Sequence, residues 1–361
     1  MKNYLSTGAA LLLTTTAATA GGLDRGGNSY SVLFEDGNYA ELSFSIAQPD
    51  VSGDYAAGLG GGSTEDMAED FNNFGVALKF AINESLDAAV FLNQPFGANA
   101  SYGSGPYTGL EAEWNSTQVA AVLKYQVNEN VSVYGGIRSV KSEAEIAIPA
   151  ALFPFGYTAE TESDSQISYI AGAAYEIPEI ALRVALTYET GFTHEFDTTE
   201  TAAALGGVIP SVTEIEMPQA VTLDFQSGIA EDTLLFGSVR WSEWSVFEVR
   251  PIGYENATGE AVTGLDNDVT TYRIGLGRRI SDELSVFGRV TYEEANGGIA
   301  SRLTPTDGTT SIGIGGSYTM DNVEFTGGIE YSMLGDAEDG SATDFSDNSA
   351  LGFGLTIGYS F

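Results

Sequence analysis

Leu351-Gly352-Phe353-Gly354-Leu355-Thr356-Ile357-Gly358-Tyr359-Ser360-Phe361 ends the chain, and its reading decides the fold. Every odd position carries a large, mostly apolar side chain. Every even position carries Gly, Thr or Ser. A period of two means a β-strand with one greasy face and one small or polar face. A soluble sandwich strand alternates in this way, and so does a strand of a membrane barrel, whose apolar face meets lipid and whose polar face meets the lumen.

The pattern recurs upstream. Strand candidates run near 39–48, 73–82, 85–94, 115–127, 131–143, 162–176, 180–194, 216–229, 233–247, 268–280, 284–294, 309–320, 323–334 and 348–361. That is fourteen, an even number, as single-chain bacterial barrels require. Six connections are tight and polar: Asn83-Glu84, Asn128-Glu129-Asn130, Pro178-Glu179, Glu231-Asp232, Ser281-Asp282-Glu283 and Asp321-Asn322. Seven are long, about 49–72, 95–114, 144–161, 195–215, 248–267, 295–308 and 335–347. Short turns on one side and long loops on the other are the asymmetry of an outer-membrane barrel. The expected fold is all-β, a transmembrane antiparallel β-barrel of about 14 strands with a short N-terminal plug-like segment.

The start of the chain agrees. Lys2 precedes an apolar run through Leu11-Leu12-Leu13, and Ala18-Thr19-Ala20 forms an A-x-A cleavage site, so residues 1–20 read as a secretory signal. Residues 21–38 then form a short hatch-like segment and 39–361 the barrel, which places the protein in a bacterial outer membrane. No segment approaches the roughly 18 consecutive apolar residues of a membrane helix.

Composition excludes several classes. With 14 Lys+Arg against 50 Asp+Glu the chain is strongly acidic, which argues against nucleic-acid binding. There is no Cys and a single His, His194, so the usual nucleophile–base arrangements and thiolate metal sites are hard to build. We expect no enzyme activity, no cofactor and no metal site. An outer-membrane lipase, with His194 as its base, is the weakest alternative.

Strand parity separates lumen from lipid. Lys79, Lys124, Arg138, Arg183, Arg240, Arg273, Arg279 and Arg289 all oppose the apolar sets of their strands and are expected inside. By the same test Glu41, Asp87, Asp224, Glu293, Glu324 and Glu330 face them. Such charges pair internally, or a subset binds an anionic head group, for which Arg offers a planar two-donor fork. Arg138, Arg240, Arg273 and Arg289 are the candidates for that role. Two long loops are unusually greasy: Leu152, Phe153 and Phe155 in the third, Leu205, Val208 and Ile209 in the fourth. Apolar patches of this kind mark either an interaction site or a pair of loops packed on each other as a cap.

Several stretches carry a family resemblance. Met217-Pro218-Gln219-Ala220-Val221, with Gly237-Ser238-Val239-Arg240-Trp241-Ser242-Glu243-Trp244-Ser245-Val246-Phe247, looks like the Pro-led strand, tight turn and Trp-x-x-Trp-Ser-x-Phe strand end of the FadL family of outer-membrane transporters. Asn93-Gln94-Pro95-Phe96-Gly97, and Phe34-Glu35-Asp36-Gly37-Asn38-Tyr39-Ala40-Glu41 leading to Pro49-Asp50-Val51-Ser52-Gly53, are similar to it too. The resemblance implies passive uptake of long-chain fatty acids or other hydrophobic small molecules, with a groove on the third and fourth loops as landing site. It also implies an N-terminal hatch and a sideways exit beside a kinked third strand. The family's hatch is longer and carries an Asn-Pro-Ala-type segment that is absent here. The expected partners are a fatty acid or other hydrophobic small molecule, outer-membrane lipid and lipopolysaccharide, and the barrel assembly machinery through Phe361, with a monomer as the state. The competing readings are a general diffusion porin and a structural or adhesive barrel.

Overall fold

The computed structural model describes residues 22–26 and 29–361. The candidate signal, residues 1–20, lies outside the described residues. Fourteen strands form the wall: β1 Tyr39–Asp50, β2 Phe71–Asn83, β3 Leu86–Asn93, β4 Glu111–Gln126, β5 Val131–Ile148, β6 Asp164–Ile177 and β7 Leu182–Glu189. They continue as β8 Ala220–Ala230, β9 Thr233–Ser242, β10 Val269–Arg279, β11 Leu284–Glu293, β12 Thr309–Met320, β13 Val323–Leu334 and β14 Ser349–Ser360. Each pairs antiparallel with its neighbours in chain order. The last closes on the first, from Tyr39 opposite Ser360 to Asp50 opposite Ser349. A closed ring leaves no unpaired edge, which is what a sheet surrounded by lipid requires.

The wall has the polarity of a membrane barrel. Ile274 is 54% exposed and Ile314 59%, facing outward, while inward-facing Arg289 and Glu330 are only 4% and 1% exposed. Apolar outside and charged inside is the reverse of a soluble protein. Tyr318, Phe325, Tyr359 and Phe361 lie outside at the turn end, where amphipathic rings favour the membrane surface. Phe361 stacks on Tyr359 and meets Phe80 edge-on. Among the described residues no helix is long and apolar enough to cross a membrane.

Two expectations are corrected. Most of the third and fourth long connections is strand, not loop. β5 runs on to Ile148, and strands at Tyr157–Thr161, Phe192–Ala202 and Gly207–Met217 carry the sheet above the barrel. The reason is alternation that continues beyond the membrane with polar outer residues. His194, Phe196 and Thr198 point inward between exposed Thr193, Glu195 and Asp197. Secondly, the strand expected over 233–247 stops at Ser242. Trp244–Val246 is a 3-10 turn that folds Trp244 and Phe247 over the lumen.

The segment ahead of β1 sits inside the ring. Tyr30, Val32 and Leu33 pack against Phe91, Val122 and Ile170 in the lower lumen. Lys79 donates to the Glu35 and Gly37 carbonyls and Lys124 to that of Leu33. The same two ammonium groups flank Asp87, at 3.3 Å each. The lower lumen is therefore filled by a short plug tied to charged wall residues.

Candidate substrate path

The wall is broken at one strand. β2 and β3 pair only from Val76–Leu92 downward, so Phe71–Gly75 has a neighbour on the β1 side alone. The cause is local. Pro95 has no N–H to give a ladder, and the chain at Gln94-Pro95-Phe96 leaves β2 to follow the lumen side. Phe96 instead exchanges bonds with the Ser116 hydroxyl, and the strand resumes against β4 from Gly97 to Ser101. The Gln94 side chain reaches back to the Phe74 N–H. A cavity crosses the wall at this break, with Phe44, Phe74 and Leu92 on its outer side and Arg25, Glu41 and Asn73 on its inner side.

The start of the chain pairs with the displaced segment. Arg25 N–H donates to the Pro95 carbonyl and Gly97 N–H to that of Leu23. Asp24 accepts from Trp244 Nε1 at 3.2 Å and faces Arg240 at 3.5 Å. Above this junction lies an apolar chamber, partly open to solvent. Trp114, Ile146, Ile215, Phe247, Leu265 and Leu303 form its walls, with Leu23 beneath and Glu113, Glu145, Thr198 and Thr213 among its polar lining. Trp114 and Phe247 present aromatic surface, their rings 5.8 Å apart. Among the described residues no Lys, Arg or His lines it.

A second cavity lies between the chamber and the wall gap. Ala98, Leu303 and Thr304 line both the chamber and this second cavity, and Arg25 lines both that cavity and the gap. Among the described residues, Arg25 is the one basic residue lining these three cavities. Its guanidinium lies 4.5 Å from the centre of the Phe71 ring and donates to Asn99.

The sequence-based candidates fall in three places. Arg138 and Arg240 converge on Glu189, at 2.6 and 2.9 Å, where Tyr30 of the plug also donates. Arg289 pairs with Glu330 at 2.8 Å, the two side chains meeting over Gly313, where a Cβ would lie 3.0 Å from the carboxylate. Arg273 donates to Thr291 and has no carboxylate within ion-pair distance among the described residues. None of the four lines the chamber. The loop candidates also divide. Phe153 is buried in the cap, with Leu152 and Leu205 packed against the same cluster. Phe155 and Val208 face out, at 82% and 67% exposure, and Ile209 is half-buried.

Glu189 was not picked out from the sequence, although it shares the parity of Arg183 on one strand. Arg25, Trp114 and Ile215 have no local signal, because they meet only in three dimensions; Phe247 ends the Trp-x-x-Trp-Ser-x-Phe stretch, which marks the family and not the chamber.

His194 is buried among Trp114, Phe192 and Phe196, with Nδ1 2.8 Å from Asp164. Burial holds its imidazole below the ordinary value, against the hydrogen bond and charge of Asp164, which pull the other way. Partial burial works to raise Asp164. Bonds from His194, Gln166 and the Glu195 N–H outweigh it and leave that carboxyl below its usual range. Among the described residues the hydrogen-bond partner of the imidazole is Asp164. Among the described residues no group of acids and His is arranged to hold a metal.

A closed barrel with a plugged lower lumen, an apolar chamber and a break in its wall defines an outer-membrane transport protein. The sequence matches the family described as outer membrane protein transport protein (OMPP1/FadL/TodX) over residues 37–356, and the chain belongs to that family, whose members are transport channels and not enzymes. A FadL homologue of Pseudomonas aeruginosa superposes with a TM-score of 0.77 at 12% identity, covering 98% of this chain and 96% of that one. The toluene transporter TodX of P. putida gives 0.68 at 12% identity, with 92% of each chain covered. CymD, a monoaromatic hydrocarbon channel, gives 0.62 at 14% identity over 99% of each. Sequence comparison with curated proteins finds no match.

Proposed function

We propose that this barrel carries small, neutral hydrophobic molecules, aromatic hydrocarbons among them, passively across the outer membrane and releases them sideways at the break beside β3. The observation that carries the reading is the cation-free apolar chamber, joined to the wall gap through shared lining residues. A molecule the size of toluene that buries roughly 250 Å² of apolar surface gains on the order of 6 kcal/mol. Lost freedom of motion offsets at least about 4 kcal/mol of that. Occupancy is then weak and readily reversed, as passage requires. That CymD and TodX are described as channels for monoaromatic compounds and toluene supports the same substrate class. Residues 1–20 serve in this reading as the export signal.

One observation favours a second cargo. Arg273 is a lumen cation without a carboxylate partner, so a long-chain fatty acid would find its head-group contact there; Arg138, Arg240 and Arg289 would first have to leave Glu189 or Glu330. Native mass spectrometry of the gently extracted barrel, with toluene or oleate added, separates the two. Retention of the aromatic, unchanged by Arg273→Ala, supports the first reading. Retention of oleate that Arg273→Ala abolishes supports the second. Steady ion conductance through planar bilayers with neither ligand retained would establish a diffusion porin instead.

A further inference from the structure

The chamber borders a second opening, set apart from the exposed tips of the third and fourth connections. A cleft opens to solvent between the loops after β9, β11 and β13. It meets the chamber at Leu265 and Thr304, which line both. The opposite side is shut by packing. Phe153 stacks on Tyr254 at 5.5 Å, Tyr157 meets the same ring at 5.1 Å, and buried Glu200 ties these segments together. The cleft is acidic. Asp266, Asp307, Asp336, Glu338 and Asp344 line it, and among the described residues no Lys or Arg does. All but Asp307 are exposed.

We propose that hydrophobic molecules enter the chamber through this cleft, and that its carboxylates turn away aromatic and fatty anions while passing neutral and cationic ones. The inference rests on the uptake reading above. A concave surface of one sign focuses its field and shifts encounter rates by about 10-fold to 1000-fold at low salt. That effect fades as the screening length shrinks to ~8 Å at physiological ionic strength. Beyond the cleft the chamber offers an anion no counter-charge, so the two act in the same direction.

The chain has no Cys, so single cysteines can be placed and capped with a bulky maleimide. Asn267→Cys and Asn296→Cys stand on two walls of the cleft, Phe155→Cys and Val208→Cys on the exposed third and fourth connections. Uptake of radiolabelled toluene is measured in cells carrying each barrel, against cells without it. Capping in the cleft is expected to cut uptake at least about tenfold, and capping at 155 or 208 to leave it unchanged. The reverse pattern would overturn the proposal and move the mouth to the third and fourth loops. No toluene uptake by the uncapped barrel would instead sink the uptake reading itself.

The charge half is tested with Asp266→Asn, Asp336→Asn, Glu338→Gln and Asp344→Asn combined. Benzoate uptake at low salt should rise by about tenfold in this variant, benzylammonium uptake should fall, and toluene should be unaffected. Benzoate uptake that ignores both the substitutions and added salt would refute the filter.

Discussion

Glu200 is the place where the closed side of the cap can be opened. Its carboxylate is fully buried and accepts from Tyr157 Oη at 2.9 Å, Ser211 Oγ at 2.7 Å, and the N–H groups of Gly253 and Tyr254 at 2.9 Å each. One side chain thus ties the third and fourth connections to a short helix, α1, at Ile252–Thr258. In Glu200→Ala the half-buried Ser211 hydroxyl can turn toward water, but the buried Tyr157 hydroxyl and the two backbone donors are left unpaired. At ~1–3 kcal/mol for each backbone donor, the local loss at α1 is near ~4 kcal/mol. At ~1.4 kcal/mol per decade that is almost three decades in the opening equilibrium of α1. Glu200→Gln is no rescue, since its amide turns a donor toward groups that are already donors.

The assay is amide hydrogen exchange of residues 252–258 in the intact detergent-solubilised barrel, with the β12–β13 amides as internal reference. Exchange at 252–258 should accelerate by two to three decades, on the order of the opening equilibrium, while the reference stays put. Gly253→Ala should act in the same sense, because its Cβ would lie 2.6 Å from the Glu200 carboxylate. Added to Glu200→Ala it should contribute little more, since both break one contact. Unchanged exchange at 252–258 with an intact barrel would refute the claim that this carboxylate holds the cap.

Ala98→Trp places an indole where the chamber meets the cavity leading to the wall gap; toluene uptake should fall at least about tenfold with barrel stability preserved, and undiminished uptake would remove this path. Glu189→Gln leaves two buried guanidinium groups short of charge, so the thermal midpoint seen by gel-shift of the heated barrel should drop, for a cost of about 3–5 kcal/mol. His194 has a lowered folded pKa, so its contribution is whole above the ordinary value of 6.5 and is lost as pH falls below it. Exchange protection over 192–202 should weaken there in the native chain and stay flatter in His194→Gln. Deleting Phe361 removes the ring contacts with Tyr359 and Phe80, and the yield of folded barrel from cells should fall while refolding in detergent is less affected.

The wall was legible because each strand carries its own two-residue period, and lipid leaves no compromise between faces. Thr309–Met320 and Val323–Leu334 came out with their observed ends, since Asp321-Asn322 can only be a turn. The third and fourth connections were misread for a physical reason. Once a strand leaves the membrane its outer face turns polar, as in Glu143-Ala144-Glu145-Ile146, and the greasy contrast that marks a lipid-facing strand is gone. Parity put the lumen cations inside, but it is silent on distance. It does not tell that Glu189 sits between Arg138 and Arg240 while Arg273 has only Thr291. The chamber was invisible, because its walls come from segments as distant as Leu23 and Leu303.

The distribution of charge follows from the same geometry. A polar lumen built from strands needs buried charges to be paired, and here Glu189, Glu330 and Asp87 hold five of the cations in place. Among the described residues that leaves the proposed route of an apolar molecule with one cation, Arg25, at the step between the inner cavities and the wall gap. Its hold there is a contact with the Phe71 ring and a bond to a neutral amide, not an ion pair. Cation–π contacts contribute about 0.5–2 kcal/mol, and a hydrogen bond a further ~1 kcal/mol. In the proposed uptake, an aromatic molecule arriving from the chamber would offer Phe71 a ring in exchange for the guanidinium, so that most of that loss is recovered as it occurs. A step balanced in this way would need no energy source, and the concentration of cargo on the two sides would set the direction of travel.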